Sequence, residues 1–169
     1  MKPFITIALL MFACSNIYGQ MSEKFNYELN KYGTSYLIKL KSEQPAPENS
    51  RVARAHFDTQ LATKTLISIV EQSIPSKKLQ KLIEVNGVVI QLAFSVTGKI
   101  LRITVSIPKE YIHILNEDEL YTLFSKLQKF EICIIDIEYS RNWVQEWEPY
   151  CVWLYPLRNL SNWKKQHIL

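Results

Sequence analysis

Glycine is scarce in this chain, with four residues in 169. The scarcity excludes the glycine-rich turns that bring backbone N–H groups to a phosphate or a dinucleotide, and no Gly-x-Ser-x-Gly elbow is present to expose a serine nucleophile. Histidine is equally sparse: His56, His113 and His167 stand far apart. None has a second ligand at metal spacing and no His-Glu-x-x-His segment occurs, so no metal ion is expected. His113 alternates with isoleucines in Tyr-Ile-His-Ile-Leu and reads as a partly buried, satisfied imidazole. The cysteines Cys14, Cys133 and Cys151 form no Cys-x-x-Cys pair, which removes the usual zinc and dithiol arrangements. Positive charge is not concentrated. Lys and Arg total 20 against 16 for Asp and Glu, and the loose groups at Lys77, Lys78 and Lys81 and at Lys164 and Lys165 make no stripe interleaved with aromatics. Neither a nucleic-acid partner nor a cofactor is expected.

Long apolar runs are also missing. The apolar stretch over residues 4–13 is ten residues long, too short to span a bilayer. It follows Met1-Lys2 and precedes Ser-Asn-Ile-Tyr-Gly-Gln, the layout of a secretory signal peptide cut after Gly19. Ile17 stands where a second small residue is preferred. The alternative uses Cys14 after Leu10-Met11-Phe12-Ala13 as the acylated first residue of a lipoprotein, which would be the sole membrane attachment. Either route exports the protein, to the periplasm or beyond, or to the outer membrane as a lipoprotein; the remaining alternative is an uncleaved structural segment. The expected division is a signal peptide over 1–19, an N-terminal arm and linker over 20–50, and an α+β domain over 51–169.

What is present is a core. The apolar fraction is 47%, sufficient for one domain of this length. Residues 88–107, Val-Val-Ile-Gln-Leu-Ala-Phe-Ser-Val-Thr-Gly-Lys-Ile-Leu-Arg-Ile-Thr-Val-Ser-Ile, read as a β-hairpin turning at Thr97-Gly98. A two-residue loop there would set Phe94 opposite Leu101, Leu92 opposite Ile103, Ile90 opposite Val105 and Val88 opposite Ile107, all on one face. Pro108 ends the second strand. Residues 21–33 read as a frayed helix or an extended arm, 35–40 as a short strand, and 41–50, with two prolines, as a linker or loop. A helix is predicted over 59–73 with Asp58 as its N-cap, stopped by Pro75. Ser76 is placed to cap a second, short helix whose Leu79, Leu82 and Ile83 face inward. Asn116 with Glu119 forms a capping-box pair, Leu115 and Leu120 a staple, and Leu120, Leu123, Phe124 and Leu127 a core-facing stripe.

Strands are predicted over 131–139 and 150–155. A hairpin between them would set Cys133 opposite Cys151. An exported compartment permits that disulfide; two buried thiols fit the residues as well. The order of elements predicts an α+β two-layer sandwich, with helices on one face of an antiparallel sheet and the hairpin at its centre.

The hairpin, with its short turn, Gly-Lys pair and hydrophobic second strand, together with the helix at 116–129 and the strand at 131–137, resembles the TonB C-terminal domain superfamily. The export end and small α+β body are also similar to uncharacterised small secreted proteins of gut-type Gram-negative bacteria. No membrane anchor followed by a proline-rich spacer accompanies the likeness, and energy transduction is not implied.

Two groups of residues carry candidate chemistry. Tyr139, Trp143, Trp147, Tyr150, Trp153 and Tyr155 crowd into seventeen residues, with Trp163 beyond. Of these, Trp143, Trp147, Tyr150 and Trp153 are the candidate ligand-binding rings, since an indole or phenol offers an apolar face and a polar tip. Asp136 and Glu138, two apart on a strand, share a face; with Glu146 they are candidate carboxylates for glycoside hydrolysis. The expected function is an exported, non-enzymatic interaction module of the cell envelope that binds a protein or glycan through a sheet edge or the aromatic loop. The alternatives are a small polysaccharide hydrolase and a structural lipoprotein domain.

Overall fold

A computed structural model describes residues 22–43, 51–139 and 149–167. The strands are β1 (Phe25–Leu29), β2 (Ser35–Leu40), β3 (Arg51–Val52), β4 (Arg54–Phe57), β5 (Val89–Ser95), β6 (Ile100–Pro108), β7 (Ile134–Glu138) and β8 (Pro149–Pro156). The helices are α1 (Thr59–Ser73), α2 (Ser76–Glu84), α3 (Glu117–Leu127) and α4 (Asn159–His167), with a 3-10 turn at Lys109–Ile114. Six strands form one sheet in the order β1-β2-β6-β5-β8-β3, and β4 and β7 form a second, two-stranded sheet. Among the described strands, only the short pairing of β3 with β8 is parallel. The α+β architecture with a central hairpin is therefore as the sequence predicts.

Hydrophobic alternation sets the main sheet. Ile90, Leu92 and Phe94 of β5, Ile103, Val105 and Ile107 of β6, and Cys151 and Tyr155 of β8 are buried in one cluster with Leu66, Ile67 and Val70 of α1 and Leu120, Leu123, Phe124 and Leu127 of α3. Each such large side chain contributes about 1.5–3 kcal/mol by leaving water. The opposite face carries Gln91, Arg102 and Ser106, which are half-buried, and the exposed Val152 and Leu154.

The hairpin register departs from the predicted one near the turn. Ser95 N–H donates to the Lys99 carbonyl and Gly98 N–H to the Ser95 carbonyl, both at 2.9 Å. The loop therefore holds three residues, Val96, Thr97 and Gly98, with Gly98 at φ +86°, a left-handed value that glycine adopts without strain. The pairing then shifts: Phe94 faces Ile100, while Ala93 faces Arg102. Leu101 is the extra residue of a bulge. It is 52% exposed, and Ile100 takes the predicted core place at 8%.

The helices begin and end for local reasons. Asp58 Oδ1 accepts from Leu61 N–H at 2.9 Å, capping α1. Asn116 and Glu119 form the reciprocal capping box of α3, at 2.8 and 2.9 Å. Ser76 is not a cap. Pro75 occupies the N-cap position of α2 with no side-chain bond, and Ser76 is the first helical residue.

Residues 22–40 are no free arm. β1 pairs with β2 along its whole length, and β2 pairs with β6. Phe25 is buried against Phe124 at a centroid distance of 5.1 Å, and Lys24 lies over the Tyr121 ring at 4.3 Å. Beyond the end of the β2 pairing, Glu43 continues the ladder: its Oε1 accepts from Ile103 N–H at 2.9 Å, while Oε2 is buried without a hydrogen bond. Burial pushes the Glu43 carboxyl above the ordinary glutamate value of 4.5, against the opposing pull of the Ile103 N–H, Arg102 and Lys39.

Two outcomes follow for stability. Ile100→Ala is expected to cost about 2–4 kcal/mol and Leu101→Ala less than about 0.5 kcal/mol in urea unfolding; equal costs would restore the two-residue loop. Glu43→Gln keeps an acceptor for Ile103 N–H and removes the charge. A raised native pKa means that folding favours the protonated acid, so the destabilisation is absent in acid and sets in as pH rises through the raised value. The Gln variant should therefore be more stable than wild type at pH 7, with the gap closing in acid; a loss of stability at pH 7 would show that the charge is favourable.

Candidate functional site

The predicted aromatic group does not assemble among the described residues. Trp143 and Trp147 lie outside them, as do Glu146 and Cys14. Tyr150 pairs with Ser95 and Trp153 with Leu92, so the two rings stand on opposite faces of β8. Trp153 turns inward. It packs edge-to-face on Phe57 at 5.5 Å and on Tyr155 at 5.8 Å. Tyr155 is buried, its hydroxyl lacks a hydrogen bond, and burial pushes its pKa up to about 12. These rings pack in or against the core.

The strand over 150–155 does not pair with that over 131–139. β8 lies antiparallel to β5, with Cys151 opposite Phe94, while β7 pairs with β4. The Cys133–Cys151 hairpin is therefore absent. Both thiols are free, Cys133 exposed and Cys151 buried, and burial raises the pKa of Cys151.

Asp136 and Glu138 do share one face of β7, with His56 and Arg54 opposite them on β4. Glu138 is held by His56 Nε2 at 3.1 Å and Arg54 Nη1 at 3.8 Å. Asp136 accepts from the adjacent Ile137 N–H at 2.8 Å. Both carboxylates are exposed. Among the described residues, no group of three or more His, Cys, Asp or Glu is placed to hold a metal ion. No described helix is long and apolar enough to cross a membrane.

A different aromatic residue stands at a concave surface. A cleft of about 390 Å³ between the first turns of α1 and helix α4 is lined by Asp58, Gln60, Leu61, Lys64 and Trp163. Leu160 of α4 is buried and anchors that helix. Trp163 is half-buried, packed in part on the core. Gln60 and Lys64 are four apart, and so share one face of α1. Asp58 spends one carboxylate oxygen on the helix cap. The cleft thus joins one indole with a carboxylate, an amide and an ammonium, a mixture suited to a ligand with both apolar faces and hydroxyl groups. In the sequence, Trp163 lies just beyond the dense aromatic cluster, and Asp58 has a sufficient explanation as a cap. Only the packing of α4 beside α1 unites them.

No family model matches the chain, and no curated protein matches it. Among solved structures, the crystal structure of a DUF5043 family protein from Bacteroides uniformis ATCC 8492 is similar to this chain. The likeness covers 79% of this chain and 86% of the other, with a TM-score of 0.53 at 9% identity. At that identity it concerns the fold alone. The likeness to TonB C-terminal domains gains no support from these matches.

The thiol arrangement has a direct check. Cys133 is expected to react with a maleimide in the native protein, and Cys151 only after unfolding. Protection of both thiols until a reductant is added would restore the disulfide.

Proposed function

We propose that the protein is an exported, non-enzymatic interaction module of the cell envelope, and that it holds a saccharide at Trp163. The observation that carries this reading is the cleft shared by Trp163, Asp58, Gln60 and Lys64. A sugar ring presents C–H groups on its faces and hydroxyls on its rim. The indole meets the first, and the three polar side chains meet the second. The N-terminal layout of residues 1–20 supports export. Hydrolysis is the weaker reading because Glu138 and Asp136 are both exposed, with Glu138 paired to His56 and Arg54.

A protein partner is the second reading. It draws on the position of β1 at an end of the sheet order, where the described residues leave an edge to which an incoming strand could add. The likeness of the hairpin, helix and strand to TonB C-terminal domains belongs to that second reading.

The test is an array of bacterial and plant oligosaccharides probed with the purified protein and with Trp163→Ala. The account expects a defined set of glycans for the wild type and a loss of roughly tenfold or more in affinity for the variant, on the scale of one interfacial aromatic. Thermal unfolding should show that the variant remains folded. Glycan binding that survives the substitution, or none by the wild type, would refute the reading.

A further inference from the structure

Helix α2 and the 3-10 turn at Lys109–Ile114 enclose a groove made of two adjoining clefts of about 310 Å³ each, which share Lys81, His113 and Ile114. One cleft adds Lys77 and Lys78. The other adds Glu84, Val85, Glu110 and Tyr111. Its ends therefore differ in charge. At the lysine end, Lys78 is engaged: its ammonium lies 2.7 Å from both carboxylate oxygens of Glu119. Lys77 and Lys81, four apart on one face of α2, have no ion pair among the described residues, and the first turn of the helix carries no acid. The imidazole of His113, which the alternating isoleucines predict to be partly buried and satisfied, is exposed instead, and it borders both clefts. Between these groups the surface is built from Ile114 and the methylene stems of the lysines, which give apolar walls below charged tips.

We propose that this groove binds an organic monoanion with an apolar body, such as an alkyl carboxylate. Charge complementarity fixes the orientation. The anionic head lies between Lys77 and Lys81, and the uncharged body runs over Ile114 toward Val85 and Tyr111. Glu84 and Glu110 at the far end disfavour a second negative charge there. This site is separate from the Trp163 cleft and does not depend on the saccharide reading.

The test is calorimetric titration with decanoate below its micelle concentration, at low and high salt. Decanol supplies the same body without the charge, and inorganic phosphate supplies charge without the body. The expected result is saturable one-to-one binding of decanoate that weakens with salt. Decanol and phosphate should each bind at least roughly tenfold more weakly, and Lys77→Glu combined with Lys81→Glu should lower decanoate affinity by a factor of roughly ten or more. Both lysines are exposed, and Lys78 is left in place to hold Glu119, so the double variant should unfold at the wild-type temperature. Trp163→Ala should bind decanoate normally. Decanol binding as tightly as decanoate, phosphate binding as tightly, full affinity in the double variant, or no saturation by about 1 mM decanoate, the millimolar range being a very weak association, would each overturn the proposal.

Discussion

The turn of the central hairpin and the chain leaving α3 approach so closely that only a glycine fits between them. A Cβ on Gly98 would lie 1.8 Å from the Ile132 carbonyl oxygen. The same approach makes a bond: Ile132 N–H donates to the Gly98 carbonyl at 2.9 Å, beside a bridge between Lys99 and Glu131. The strand following α3 is thus fastened to the tip of the hairpin before it becomes regular. It continues as β7 alongside β4, and the free side of β5 is taken by β8. Much of the topology rests on this junction: the second small sheet, the separation of Cys133 from Cys151, and the inward turn of Trp153.

The junction also places the candidate surfaces. With β8 against β5, the chain returns over the core at Leu157 and Leu160, both buried, and sets Trp163 beside the first turn of α1. The helical layer then presents two different concavities, an aromatic and polar cleft at α1 and α4 and a lysine-rimmed groove at α2. The far face of the sheet carries scattered apolar groups such as Leu154 between polar ones.

Local signals were legible in the sequence wherever a short-range rule decides the outcome. Asp58 at the start of α1, Asn116 with Glu119 at α3 and the alternation through Leu92 and Ile103 each follow from chemistry within a few residues. The three-residue loop was not legible, because Thr97-Gly98 satisfies a two-residue turn equally well, and the longer loop is held by Ser95 and by the contact with Ile132. Strand partnership was not legible either. The isoleucines of β7 and the aromatics of β8 suit a mutual hairpin, and the sequence has no local term that assigns them to β4 and β5. The inward turn of Trp153 has the same origin, since strand pairing and not nearby sequence supplies its neighbours. The dense aromatic cluster includes Trp153, which packs against the core, whereas Trp163 meets in its cleft residues about a hundred positions away.

The central functional claim is that a ligand is held on the helical layer at Trp163 rather than on the rings of the sheet. Fluorine NMR of protein labelled with 5-fluorotryptophan tests it most directly, with each resonance assigned by single substitution and followed during titration with an array-selected oligosaccharide. The account predicts that the Trp163 resonance shifts saturably while that of Trp153 stays fixed. A saturable shift of Trp153 with Trp163 unmoved would contradict it.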